Sequence, residues 1–335
     1  MTRREVIKLF GTSSLALTLP KPLTLFAQHN NNMDKKEFEV IIIGGSYAGL
    51  STAMTLGRSL RETLVIDAGK PCNRQTPHSH NFLTQDGNTP KEISEIAKSQ
   101  VSKYHNIKFY DGLVVNGKRS NKGFEITTSK GDVFIAKKLV LATGIKDIMP
   151  DIKGFSECWG ISVVHCPYCH GYEIRNKKTA IIANGERASH LTSLVNNLTN
   201  DITILTSGTK DFRENELKIF KEKNIQVIEK EILSIEHQNG QIEKIVFKDG
   251  NSKRFDCAYG QVPFEQNSMV ANDLDCEIDE NGYIIVDWMQ KTSTDGVFAC
   301  GDNSTFMRSV ANAVNSGNTA GAIINGELSK TNFYG

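Results

Sequence analysis

The sequence predicts an α/β fold built on two Rossmann-like units, and three observations carry that prediction. A short β-branched run, Glu37–Ile43, passes straight into Gly44-Gly45-Ser46-Tyr47-Ala48-Gly49 and an alanine- and leucine-containing helix over Leu50–Leu60. The pattern recurs in altered form, with a strand at Lys178–Ala183 running into Ala183-Asn184-Gly185-Glu186-Arg187-Ala188. Near the C-terminus an apolar run within Thr294–Asp302 closes on Gly301-Asp302 and precedes a long alanine- and glycine-rich helix, Arg308–Leu328. Short apolar runs that alternate with helical patterns read as buried parallel strands joined by crossover helices.

Length and charge narrow the classes. The 335 residues suggest two domains at roughly 150 residues each. Lysine plus arginine (39) nearly balances aspartate plus glutamate (38). With no polybasic block, nucleic acid is not expected as a partner. Mean hydropathy is negative and no apolar run approaches the roughly 18 residues of a membrane span, so no stable membrane insertion is expected. Cys72, Cys158, Cys257, Cys276 and Cys300 are scattered. In a chain this long that pattern argues against a disulfide framework and for inert, buried thiols in most cases.

The amino-terminal residues stand apart. Thr2-Arg3-Arg4-Glu5-Val6-Ile7-Lys8 is a twin-arginine pattern, followed by a moderately apolar Leu9–Pro20 and a polar Gln28–Asn32 tract. Such an address exports folded proteins, which places residues 1–32 outside the fold and the protein in the periplasm or beyond. Translation from Met33 and a cytoplasmic protein is the alternative.

In the first unit, Gly44 permits a tight turn, Gly49 lets helix and strand pack closely, and the helix N-terminus faces a pyrophosphate. The following strand, Thr63–Ile66, ends in Asp67, placed to accept a ribose hydroxyl. Ser46 replaces the middle glycine of the pattern but is small enough for close backbone approach. A further strand, Val133–Leu141, closes on Ala142-Thr143-Gly144.

Between these units lies His165-Cys166-Pro167-Tyr168-Cys169-His170-Gly171. Two cysteines at this spacing make a reversible dithiol switch, half a zinc site, or, with His170, a haem-attachment motif. Structural zinc wants four ligands, and no second C-x-x-C or H-x-x-x-H pair accompanies these, so no metal site is expected. Haem attachment requires an unfolded chain outside the cytoplasm, which conflicts with export in the folded state.

The G-x-x-x-x-G turn, the Ala-Thr-Gly strand end, the Gly296-Val297-Phe298-Ala299-Cys300-Gly301-Asp302 run and the C-x-x-C between them resemble the flavoprotein pyridine nucleotide–disulfide oxidoreductases. Within these they look like the low-molecular-weight thioredoxin reductases, from about Phe38 to the end. The resemblance implies FAD, a homodimer, and a discontinuous FAD domain (37–150 and 259–330) with an inserted NAD(P)-binding-like domain (151–258) carrying the cysteines. Gly44, Gly45, Ser46, Ala48 and Gly49 would hold the pyrophosphate and Asp67 the adenosine ribose. Asn81, Thr143 and Gly144 would lie on the flavin side, with Gly301 and Asp302 at the ribityl chain. Val310 and Ala311, in Arg308-Ser309-Val310-Ala311, would offer backbone contacts near the isoalloxazine.

By the same resemblance Cys166 is the interchange thiol, its pKa lowered at the start of a helix, and Cys169 faces the flavin. His170 stands where thioredoxin reductases carry an acid/base aspartate, and an unperturbed imidazole titrates near neutral pH. The run Cys166 through Glu173, C-P-x-C-H-G-Y-E, is similar to the dithiol oxidases that close disulfides in metabolites. The inserted domain departs from the NADPH-binding pattern. Its leading glycine is gone, and after the strand Asp201–Leu205 no arginine appears until Arg213, so a 2′-phosphate lacks its cation. These features imply an FAD-dependent dithiol oxidase acting on a small-molecule dithiol or a thioredoxin-like protein, with NAD(P)H use doubtful. The alternatives are an NAD(P)H-dependent thioredoxin reductase and a non-catalytic flavin or haem redox sensor.

Overall fold

The β-branched run at Glu37–Ile43 forms β1, and the chain turns directly into α1 (Tyr47–Arg58) before β2 (Thr63–Asp67) pairs parallel to β1. The computed structural model describes residues 36–335; the twin-arginine segment and Met33 lie outside them. α2 (Pro90–Val101) starts at a capping box, in which the Glu92 N–H donates to the Thr89 hydroxyl and the Thr89 N–H donates to the Glu92 carboxylate. It leads to β3 (Ile107–Asp111), parallel to β2. A meander of β4 (Val114–Ser120) and β5 (Gly123–Thr128) then brings in β6 (Val133–Leu141).

β6 organises this sheet. One edge pairs with β1 from Glu37↔Ile135 to Ile43↔Leu141. The other edge is shared: Val133–Ala136 faces β5 antiparallel, and Leu139–Leu141 faces the late strand Val297–Ala299 in parallel. The resulting seven-stranded sheet delivers the ends of β1, β2, β6 and that late strand to one side, where parallel α/β sheets bind their ligands.

The chain then leaves through β7 (Ile145–Asp147). α3 (Phe155–Cys158) and β8 (Val163–Val164) lead to α4 (Pro167–His170), which carries the second cysteine. Parallel crossovers follow: β9 (Thr179–Ile182), α5 (Gly185–Val195), β10 (Ile202–Leu205), α6 (Glu214–Glu222) and β11 (Gln226–Ile228). β12 (Ile232–Gln238), β13 (Gln241–Phe247) and β14 (Ser252–Arg254) form an antiparallel sheet. β15 (Cys257–Gly260) inserts between β9 and β8, completing a five-stranded sheet ordered β11-β10-β9-β15-β8. β16 (Phe264–Gln266) pairs antiparallel with β7, so a two-stranded ribbon carries the chain out of one sheet region and back. α7 (Val270–Asp273), β17 (Val297–Ala299) and α8 (Val310–Tyr334) complete the order.

The expected α/β class and parallel layout are therefore present, with two local differences. The strand expected over Thr294–Asp302 shortens to β17, because the turn at Asp295-Gly296 (φ 83° at Gly296) precedes it. The last helix begins at Val310, not Arg308, and continues past Leu328 to Tyr334, since no proline follows to stop it. Among the described residues, no helix is long and apolar enough to cross a membrane.

α1 and α8 cross closely over the sheet. The buried Thr52 hydroxyl lies between the carbonyl oxygens of Ala48 (3.0 Å) and Gly317 (2.9 Å), and the Ser51 hydroxyl donates to Val314 O at 2.6 Å. A Cβ on Gly317 would fall 2.1 Å from Ala48 O, so backbone would have to yield. Gly317→Ala is expected to destabilise the protein by about 1–3 kcal/mol in a denaturant titration; an unchanged midpoint would show that this crossing can widen freely.

Candidate active site

Two strand–turn–helix units meet the same physical demand in opposite ways. The first N–H groups of a helix have no partner within it, and the helix dipole makes that end attractive to anions. At the first unit, Gly44 (φ 108°) lies where a Cβ would be 2.1 Å from Ala142 O, so only glycine lets β1 turn under the end of β6. The Gly45 N–H donates to Asp67 Oδ1 (3.0 Å), which fixes the acid beside the turn. Ser46 is the N-cap of α1 but makes no side-chain cap, and the first turn holds no acidic residue. Ala48 and Gly49 sit buried within that turn. This end of α1 is left open to an anion.

At the second unit the end is closed from within. Asn184 caps α5: its Oδ1 accepts the N–H groups of Gly185 (2.9 Å) and Asp211 (2.9 Å), while its Nδ2 donates to Thr209 O at 2.8 Å. Glu186 stands in the first turn, and a Cβ on Gly185 would lie 3.5 Å from the Asp211 carboxylate. Two of the nearby cations are committed, while Arg187, exposed in the first turn of α5, has no ion pair among the described residues. Lys210 bonds Glu229 through its ammonium group. Arg213 pairs with Glu216 at 3.2 Å and holds that carboxyl down to about 2.

Of the remaining residues expected at the flavin side, Thr143, Gly144, Gly301 and Asp302 follow the ends of β6 and β17, whereas Asn81 sits in an exposed loop. Asn267 Nδ2 donates to Thr143 O at 3.2 Å, and Gly144 takes φ 62°. The Gly301 N–H donates to Ser316 Oγ (3.0 Å). Asp302 lies 3.9 Å from Arg308 Nε, and burial pushes its carboxyl pKa up despite that cation. Val310 and Ala311 open α8, whose N-cap Ser309 accepts the Asn312 N–H. Asn81 is exposed in a left-handed conformation (φ 61°), its N–H donating to Asp86 Oδ1 (2.7 Å). Asn303, which carries no family signal in the sequence, is fully buried; its Nδ2 donates to Leu141 O (2.8 Å) while its Oδ1 has no partner. An open helix end, an acid beside the glycine turn and unpaired buried polar atoms along the strand ends fit a dinucleotide laid across them.

Cys166 and Cys169 form a disulfide with Cα atoms 5.3 Å apart. Cys166 is extended (φ −115°, ψ 111°) and N-caps α4, its sulfur accepting the Cys169 N–H at 3.2 Å. The expected helix is a single turn, Pro167–His170, too short to build a macrodipole. Thiolate stabilisation at Cys166 therefore rests on that local N–H. Three of the other thiols are poor nucleophiles. Burial pushes Cys158 up to about 11 and Cys300 up to about 12. Partly exposed Cys72 also rises to about 11, through burial and the nearby Asp147.

His170 differs from its expected behaviour. Burial, with the neighbouring His80, brings it down to about 4, so it does not titrate near neutral pH. His165 is brought to about 4 by burial, with Arg308 and His170 adding to the effect. His80 itself lies between carboxylates, 3.6 Å from Asp86 and 3.7 Å from Glu173. Both imidazoles beside the disulfide are thus neutral at working pH.

Comparison with known proteins agrees with this layout. The chain matches the family profile of the pyridine nucleotide-disulphide oxidoreductases over residues 38–317. It is 31% identical to thioredoxin reductase tcpT of Claviceps purpurea over 301 residues, covering 87% of this chain and 94% of that protein. To thioredoxin reductase aclD of Aspergillus oryzae it is 28% identical, covering 84% and 94%. Among solved structures, an oxidoreductase from Agrobacterium tumefaciens superposes with a TM-score of 0.83 at 35% identity, covering 88% of this chain and 99% of that one.

The two depressed histidines make stability depend on pH. The unfolded chain takes up protons as pH falls through about 6.5, whereas the folded sites resist protonation until about 4. Stability should be level above that window and fall across it, by on the order of 1–3 kcal/mol per histidine. In denaturant titrations from pH 7 to 4, the double variant His165→Gln/His170→Gln should lose most of this slope. A slope equal to that of the wild type would place the proton uptake elsewhere.

Proposed function

The chain belongs to the pyridine nucleotide-disulphide oxidoreductase family, and from that premise we propose that this FAD-dependent disulfide oxidoreductase runs as a dithiol oxidase. The observation that carries the direction is Asn184, whose side chain takes the first amide of α5, at Gly185, and ties it to the Asp211 loop. A pyrophosphate there would have to displace that cap and approach Glu186 and Asp211. Of the cations near a 2′-phosphate, Lys210 and Arg213 are held by Glu229 and Glu216, which leaves Arg187 of α5 to meet it. By contrast, the open end of α1 suits FAD, with Gly44 to Gly49 at the pyrophosphate, Asp67 at the ribose, and Asn81, Thr143, Gly144, Gly301, Asp302, Val310 and Ala311 toward the flavin. In this reading the seven-stranded sheet with α8 is the FAD half and the β8–β15 region the dithiol half.

The chemistry of the pair is thiol–disulfide exchange. A substrate thiolate attacks the Cys166 sulfur, and Cys169 leaves as thiolate with the electron pair. The second substrate thiolate attacks the substrate sulfur of the mixed disulfide and releases Cys166. The substrate loses two electrons and two protons, and the cysteine pair gains them. His170, held down to about 4, carries no imidazolium proton at neutral pH to serve as the acid that reduction of a disulfide calls for. FAD, when bound, supplies the two-electron acceptor for the reduced pair, with oxygen (giving hydrogen peroxide) or another acceptor taking the electrons onward. The substrate would be a small dithiol or the dithiol of a thioredoxin-like protein. Export through the twin-arginine motif, away from the cytoplasmic NADPH pool, and a homodimeric state belong to the same proposal. The second reading, an NAD(P)H-dependent reductase, is favoured by the names of the Claviceps and Aspergillus relatives.

Turnover separates the two. Purified protein should release hydrogen peroxide from a dithiol such as dithiothreitol without nicotinamide, and Cys166→Ser or Cys169→Ser should lower that rate by more than about 100-fold. NADPH consumption with a thioredoxin disulfide should stay at background. Robust NADPH consumption with no peroxide release would reverse the direction, and activity surviving both serine variants would remove the pair from the chemistry.

A further inference from the structure

Asp147 is the meeting point of three segments distant in sequence. It ends ribbon strand β7, and its side chain is 6% exposed. Trp159 Nε1 donates to its Oδ2 at 3.0 Å, and Arg308 Nη2 donates to the same oxygen at 3.2 Å while lying 3.0 Å from Oδ1. A buried carboxylate is costly unless such donors meet it, so this one is held firmly in place. Trp159, only 4% exposed, stacks on Phe155 (5.7 Å between ring centroids, 21° between planes) and on His165 (5.8 Å, 27°). His165 is bonded to Cys166.

We propose that Asp147 and Trp159 are positioning residues for the interchange thiol. Asp147 fixes the indole through its N–H, the indole fixes the His165 ring by stacking, and the ring fixes the backbone entering Cys166. That backbone must be extended for the Cys166 sulfur to face the Cys169 N–H at 3.2 Å. Because α4 is one turn long, no macrodipole compensates if this alignment is lost. A His165 free to swing would let Cys166 leave the N–H, and its thiolate would lose its principal local donor. The proposal rests on Cys166 and Cys169 being the redox pair, and not on the direction of electron flow.

The side chains allow the links to be cut separately. Trp159→Phe keeps an aromatic face for His165 but removes the N–H. Asp147→Ala removes both the acceptor and the ion pair. Asp147→Asn keeps an acceptor for the indole while giving up the charge facing Arg308. The readout is the alkylation rate of Cys166 by iodoacetamide against pH, followed by mass spectrometry on the reduced, flavin-loaded full chain. This measures the thiol itself and is independent of NADPH and oxygen, so it can fail while the oxidase reading stands, and the converse holds too. Trp159→Phe and Asp147→Ala should raise the midpoint by about 1 pH unit, with flavin content retained, and Asp147→Asn should restore most of the shift. Wild-type midpoints in Trp159→Phe and Asp147→Ala would overturn the proposal. So would an Asp147→Asn midpoint displaced as far as that of Asp147→Ala, since the effect would then run through Arg308 and not the indole. If Trp159→Phe fails to fold, the Asp147→Ala and Asp147→Asn pair decides alone.

Discussion

The unpaired N–H groups at a helix start must find an acceptor, and most of what this protein can bind follows from how its two strand–turn–helix units meet that need. At α1 the cap residue withholds its side chain, the first turn is free of acids, and glycine lets the strand turn under its neighbour. At α5 the chain supplies the acceptor itself: Asn184 takes two amides, and Glu186 and Asp211 stand where an anion would arrive. The same backbone motif thus leaves its helix start uncapped in one place and capped by its own asparagine in the other. An asparagine cap stabilises a helix by about 1 kcal/mol, so an incoming dinucleotide must offset that loss together with the carboxylate repulsion.

Around the dithiol the governing effect is desolvation. Burial depresses His165 and His170 to about 4 and raises Cys158, Cys300 and Cys72 to about 11 or 12. Both shifts favour neutral forms: imidazoles without an imidazolium proton, and bystander thiols unable to compete as nucleophiles. Cys166 differs from them in its local geometry, which gives its sulfur a backbone N–H. That geometry is anchored at Asp147, on the ribbon joining the two sheet regions, which is why a residue so far from the cysteines in sequence bears on their reactivity.

Much of the fold was legible because parallel strands announce themselves. Glu37–Ile43 and Val133–Leu141 are bounded in the structure as the β-branched pattern places them. The strand at Val297–Ala299 and the helix to Tyr334 were less legible, since a turn residue shortens one and no stop signal bounds the other. The glycine turn, the acid at Asp67 and the C-x-x-C stand in contiguous motifs and could be read directly. The depressed pKa of His170 could not, because burial is a property of the packed chain. Nor could the Asp147 hub, assembled from residues 147, 159 and 308 with no shared motif. Asn184 lies between: the loss of the leading glycine to Ala183 is visible in the sequence, but that the next residue caps the helix with its side chain is visible only in three dimensions.

The claim that one turn is open and the other sealed is tested most directly by anaerobic stopped-flow mixing of the oxidised, flavin-loaded protein with NADPH and, separately, with dithiothreitol, following flavin absorbance. A sealed second turn predicts that dithiothreitol bleaches the flavin rapidly in the wild type and not in Cys169→Ser, while NADPH leaves it oxidised on that timescale. Rapid, saturable bleaching by NADPH would contradict it, showing that the Asn184 cap yields to a dinucleotide after all.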